Sequence, residues 1–212
     1  SIGKQKNCLY TNTASGLYQS KKCILYHIKG KRKIVFLKVA DSLQTFEKYK
    51  DAYASFENYA KRNNINLIFY IASKTDWIDT GVPHFSKVKG IQTVLKMDFK
   101  WIIYSDLDSF LVGDNLDVIL NDIPSAASLT FQKMNKVIQG KNFGPLVGSN
   151  EFIVQNTKFA NDFMKKWYNL GQTKCCQNHS FDQIALWGAL LDIKSPSQEY
   201  YKSYSVDIHN LK

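Results

Sequence analysis

The sequence predicts an α/β fold: a mixed, mainly parallel central sheet flanked by helices. Three observations carry that reading. Strand-like and helix-like patterns alternate through the first half of the chain, the order expected of βαβ units. Trp101-Ile102-Ile103-Tyr104 runs without a polar break, as in a strand buried on both faces. That run ends in two carboxylates one residue apart, Asp106 and Asp108. They fall at the carboxyl end of a strand, where open α/β sheets bind their ligands.

The elements follow in order. Residues 1–30 are mixed, with a strand at 23–28 and a turn at Gly30-Lys31-Arg32-Lys33. Residues 34–40 form a strand closed by Asp41-Ser42, either of which caps the next helix. That helix spans 43–63, because Phe46, Tyr49, Tyr53, Phe56, Tyr59 and Ala60 recur at helical spacing. Residues 66–72 form a second buried strand, followed by a polar loop at 73–76. A helix at 84–97 leads into the Trp101 strand. Phe110-Leu111-Val112 reads as a further apolar run and 114–120 as a short helix. Residues 126–131 form a strand, 139–144 a flexible loop, and 151–154 another strand. Residues 157–170 make an amphipathic helix with Phe159, Phe163, Met164 and Trp167. A last helix at 181–191 is introduced by Ser180, and the tail from 195 is rich in Tyr and Ser.

Composition narrows the classes. A chain of 212 residues fits one domain, and a hydrophobic content of 44% is enough for a sizeable core. The net charge of +10 is almost all lysine, with only Arg32 and Arg62 as arginines. Specific nucleic-acid readers lean on arginine forks, so the charge reads as a solvated surface with a pull towards phosphates, and no nucleic-acid partner is expected. No apolar run is long enough to span a membrane, and the first residues lack the apolar core of a signal peptide. A cytoplasmic, monomeric protein is the expectation. Cys8, Cys23, Cys175 and Cys176 match no zinc or redox spacing and are expected to be reduced thiols.

Two carboxylates at the end of a buried strand need a partner, because an isolated ionised carboxylate is costly to bury. Hard oxygen ligands suit Mn2+ or Mg2+, and a metal held there would hold a phosphate in turn. Haloacid-dehalogenase-type phosphatases also place Asp-x-Asp at a strand end, but they want Thr or Val where Phe110 stands. Sugar-phosphate nucleotidyltransferases carry a glycine-rich loop near the first strand, and Val39-Ala40-Asp41-Ser42 has no glycine.

The chain resembles nucleotide-sugar glycosyltransferases of the Rossmann-like GT-A fold, in particular the galactosyl-, mannosyl- and xylosyltransferase group. Three segments carry the resemblance. Phe85-Ser86-Lys87-Val88-Lys89-Gly90-Ile91 leads through a helix to Asp106-Leu107-Asp108. Gly148-Ser149-Asn150-Glu151-Phe152-Ile153-Val154-Gln155-Asn156-Thr157 looks like that group's strand and helix start. Asp182-Gln183-Ile184-Ala185-Leu186 looks like its later helix. The group's Trp before the lysine is absent, with Phe85 nearby. In size the chain is also similar to glycosyltransferases of large algal viruses, which would place it in a host cytoplasm.

The resemblance implies a single domain over residues 1–212. Its nucleotide-binding half would cover about 31–112 and its acceptor-side half about 113–212. It implies a UDP-sugar donor and a glycan or glycoprotein acceptor. Asp106 and Asp108 would ligate the metal, with Asp108 the principal ligand and His209 a further one. Lys87 would face the phosphates. The donor would be bordered by Val39, Ala40, Asp41, Ser42, Ser73, Asp76, Leu107, Asn150 and Gln183. Asp182, and after it Glu151, would serve as catalytic carboxylate, as base if the reaction inverts. Two other readings stay open on the residues alone: a metal-dependent phosphatase or phosphotransferase using Asp106 and Asp108, and a non-enzymatic basic binding module.

Overall fold

A computed structural model describes residues 8–17, 20–113, 115–138, 141–173 and 181–192. Within them one sheet holds β1 (Leu9–Thr11), β2 (Ile24–Ile28), β3 (Ile34–Ala40), β4 (Asn66–Ile71), β5 (Trp101–Ser105), β6 (Leu129–Ile138) and β7 (Lys141–Gln155). Their order across the sheet is β1-β2-β4-β3-β5-β7-β6. The central strands β4, β3 and β5 are parallel, as β1 is to β2, while β2–β4, β5–β7 and β6–β7 are antiparallel. The expected mixed α/β sheet, mainly parallel in its core and flanked by helices, is therefore what forms. No helix among the described residues is long and apolar enough to cross a membrane.

Strand alternation sorts the apolar side chains onto two faces. Val35, Leu37, Ile68, Tyr70, Ile102, Tyr104, Phe152 and Val154 make one core. Over it lie α3 (Ser86–Val94), α5 (Lys158–Gly171) and α6 (Phe181–Leu190). Ile34, Phe36, Leu67 and Phe69 make the other. Over that face lie α1 (Leu43–Lys48), α2 (Lys50–Asn63) and α4 (Leu116–Asp122). Helices on both faces explain why β3, apart from Lys38, and β4 after Asn66 read as apolar runs. Each fully buried Phe, Leu or Ile contributes about 1.5–3 kcal/mol.

Several local expectations are corrected. The helix over 43–63 is two helices that break at Tyr49, whose backbone (φ −101°, ψ 20°) leaves the α region. Ser42, not Asp41, is the cap, its Oγ accepting from the Thr45 amide at 3.1 Å. Asn64 closes α2 in the left-handed region (φ 54°), which Asn tolerates better than most residues. The helix over 84–97 is a 3-10 turn at Pro83–Phe85 followed by the shorter α3. Residues 141–144, expected as loop, belong to β7 and pair with β6 through Val137↔Asn142 and Ile138↔Lys141. Strand β1 had no sequence signal because it is three residues long and pairs with β2 alone. In the apolar run after the turn, Phe110 and Val112 are 63% and 92% exposed. Ser180 lies outside the described residues.

The reduced-thiol expectation also fails for one pair, since Cys8 and Cys23 form a disulfide. The parallel register Leu9↔Ile24 sets the two cysteines side by side at the head of β1 and β2. Their spacing in sequence holds no trace of that pairing. Cys175 and Cys176 lie outside the described residues.

Close approaches fix where the helices sit. A Cβ on Gly90 of α3 would come within 2.7 Å of Val39 Cγ2, so α3 lies tight on β3. A Cβ on Gly171, the last residue of α5, would lie 2.3 Å from the buried ring of Phe85. Gly171→Ala is therefore expected to lower stability by about 1–3 kcal/mol through overpacking, read from denaturant midpoints. Unchanged stability would mean that Phe85 is free to move. Replacing Cys8 and Cys23 by serine opens a cross-link with a sequence separation of 15. The expected loss is about 3 kcal/mol.

Candidate functional site

Strands β3 and β5 run side by side, and their carboxyl ends open onto a cleft of about 200 Å³. Val39 and Asp41 line it from the end of β3, and Thr45 and Tyr49 from α1 and the α1–α2 break. Pro83, His84, Ser86 and Lys87 line it from the approach to α3. Tyr104, Asp106, Leu107 and Asp108 close it from β5 and the turn beyond. Six of the residues expected at a donor or metal site thus share one cavity: Val39, Asp41, Lys87, Asp106, Leu107 and Asp108.

The centre of the site is a buried cation. Lys87 Nζ lies 2.9 Å from Asp182 Oδ2 and 3.3 Å from Asp106 Oδ1, and it donates to the Ser149 carbonyl at 3.2 Å. Its side chain is 9% exposed and that of Asp182 7%. Burial alone would lower the lysine's pKa, but Asp182 and Asp106 outweigh it and the net shift is upward. Lys87 and Asp182 thus form a buried ion pair at hydrogen-bond distance. Tyr104 OH also donates to Asp106 Oδ1, at 2.6 Å. Burial, and then the neighbouring Asp106, holds this phenol well above its ordinary pKa, so it stays a donor. The bonds to the Asp106 carboxylate fall on Oδ1, leaving Oδ2 unengaged among the described residues. The Asp106 amide donates to Asn150 O at 2.8 Å, which ties the turn to β7.

Asp108 is exposed at the cleft. Ser86 opens α3, is 2% exposed, and its Oγ has no hydrogen-bond partner. A helix N-terminus with an orphaned hydroxyl beside a lysine suits an anion. No group of three or more His, Cys, Asp or Glu among the described residues is placed to hold a metal. Asp106 and Asp108 fit Mg2+ or Mn2+ of the kind bound by one or two carboxylates, with phosphates and water as the other ligands.

Other expected residues lie elsewhere. Ser42 caps α1, and its Oγ also donates to Asp41 Oδ1 at 3.1 Å. Ala40 is buried in the core under α1 and α2. Asp76 and Ser73 cap each other's turn, Asp76 Oδ2 accepting from the Ser73 amide at 2.6 Å, and neither lines the cleft. Gln183 clips β7: its Oε1 accepts from the Ser149 amide at 3.0 Å, and its amide donates to the Val147 carbonyl. Glu151 stands opposite Ser105 in the β5–β7 ladder. It leaves the sheet on the face away from Phe152 and lines a second cavity of about 600 Å³ there. His209 lies outside the described residues.

Sequence reading missed Lys38. It is 0% exposed within β3 and bonds to main chain beneath Asp106. Burial pulls its pKa down to about 7, with Asp106, Glu151 and Asp108 opposing that shift. The signal was present as one lysine inside the apolar run Ile34–Ala40. Tyr49 was read only as a core aromatic, because the break that turns it to the cleft has no sequence mark.

Removing the cation leaves Asp182 buried and unpaired. Lys87→Met is expected to cost about 3–5 kcal/mol, and adding Asp182→Asn should restore most of it. An unpaired buried carboxylate has a raised folded-state pKa, which favours folding below its unfolded value and loses that advantage as pH rises. The Lys87→Met deficit should therefore shrink towards acid pH in melts run from about pH 5 to pH 8. A deficit independent of pH would contradict the ion-pair account.

No protein-family model matches the chain, and no curated protein matches it. Among solved structures the chain is similar to a glycosyltransferase involved in the glycosylation of the major capsid of PBCV-1. The TM-score is 0.52 at 16% identity, over 73% of this chain and 74% of that one. At that identity the likeness speaks for the fold.

Proposed function

We propose that the chain is a metal-dependent glycosyltransferase of the GT-A type, moving a sugar from a UDP-sugar to a glycan or glycoprotein acceptor. The observation that carries this reading is the meeting of Asp106, Asp108 and Lys87 on one cleft at the carboxyl ends of β3 and β5. The fold shared with the PBCV-1 enzyme supports it, and that likeness makes a viral origin part of the proposal.

The leaving group in such a reaction is a nucleoside diphosphate. A bound Mn2+ or Mg2+ supplies neutralisation of the charge that grows on it. Asp106 and Asp108 would hold the ion, with His209 as a further ligand. Lys87, with Ser86 at the start of α3, would bind phosphate oxygens. Val39 and Asp41 would border the nucleotide, with Tyr49 alongside. The pairing of Asp182 with Lys87 favours a positioning role towards the donor sugar over proton abstraction. Glu151 lines the second cavity on the other face of the sheet, so it would not take a proton from an acceptor held in this cleft.

A panel of UDP- and GDP-sugars, incubated with Mn2+ and followed by NMR for the released anomer, tests the reading. Hydrolysis of a UDP-sugar is expected, lost with a chelator and reduced at least about a hundredfold in Asp108→Ala. Turnover of a generic phosphate ester with no UDP-sugar hydrolysis would overturn it in favour of a phosphatase.

A further inference from the structure

Lys38 sits in the middle of β3 between Leu37 and Val39 and is wholly buried. A charged group there is expensive unless each of its donors is met. Lys38 has three donors, and each has an acceptor: Asp106 O at 2.7 Å, Ser109 O at 3.2 Å and Ser105 Oγ at 3.3 Å. The ring of Phe56 lies 3.6 Å away as a cation–π wall. The acceptors are not scattered. Asp106 O and Ser109 O are the two ends of the tight turn that carries Asp108, itself closed by a bond from the Ser109 amide to Asp106 O at 3.1 Å.

We propose that Lys38 is a positioning residue: it ties both ends of the 106–109 turn from beneath and so sets where Asp108 stands in the cleft. The metal half of this inference rests on the function proposed above, while the tether itself does not. Within the turn Leu107 is driven into the core while Asp108 stays exposed. Burial of Leu107 fixes which side of the turn faces the core, and the bonds at both ends fix how far Asp108 reaches into the cleft. A rival account treats the ammonium only as a like charge beside the metal. It predicts the opposite result, since removing Lys38 would then tighten metal binding.

The test uses the full chain as Lys38→Met, which removes the donors, and Lys38→Gln, which keeps uncharged ones. Two readouts are taken: exchange of the Ser109 amide with deuterium, and Mn2+ affinity from the EPR signal of the free ion. In Lys38→Met the Ser109 amide should exchange at least about tenfold faster, while protection in the core of β4 is unchanged. Mn2+ binding should weaken by about tenfold or more, and Lys38→Gln should stay within about threefold of the parent in both readouts. A Lys38→Met protein that keeps Ser109 protected, or that binds Mn2+ as tightly as the parent or tighter, overturns the proposal. If Lys38→Met does not fold, Lys38→Gln decides: parent-like values support the tether, and loss of both with an intact fold overturns it. A parent chain that binds no Mn2+ would remove the metal reading, and Ser109 exchange would still decide the tether.

Discussion

A lysine held in the dark between two aspartates is the interaction on which the rest of the site depends. Lys87 comes from the start of α3, Asp106 from the end of β5 and Asp182 from the first turn of α6. These elements are far apart in sequence, and the lysine is their common point. Its bond to the Ser149 carbonyl adds β7 to the same junction. A buried ion triad adds little net stability over apolar packing, so its value lies in register and in the charge it presents. It holds Asp106 Oδ1 from one side and leaves Asp108 at the cleft.

The packing around the triad explains why it stays in place. Gly90 lets α3 lie against Val39, and Gly171 leaves room for Phe85, the residue before α3. Trp167 of α5 donates to the Asp182 carbonyl at 2.8 Å, which anchors the α6 turn from the core. Gln183 and Trp187 both donate to the Val147 carbonyl, so α6 also holds the strand that borders the site. Lys38 supports the Asp106 turn from the opposite face of the sheet. One face brings a paired cation to the carboxylates, and the other brings main-chain tethering.

How much of this was legible in the sequence follows from the range of the forces. The sheet was legible because β3, β4 and β5 are covered on both faces and so read as apolar runs. Asp106 and Asp108 were legible because carboxylates at the end of such a run have few other uses. The Lys87–Asp182 pairing needed three elements to meet, and no local pattern records that. The Cys8–Cys23 bridge likewise follows from the β1–β2 register alone. Ser73 and Asp76 looked like donor contacts from their place after β4, yet a local capping box uses them up. Glu151 was the second candidate, after Asp182, for the catalytic carboxylate, but strand alternation sends it to the other face, which only the β5–β7 register reveals.

The central claim is that Asp106, Asp108 and Lys87 form one clamp for a metal and a diphosphate. Calorimetric titration of UDP, with and without Mn2+, measures that coupling most directly. The account predicts that Mn2+ tightens UDP by at least about tenfold, or about 1.4 kcal/mol of coupling. Equal UDP affinity with and without the ion would contradict it.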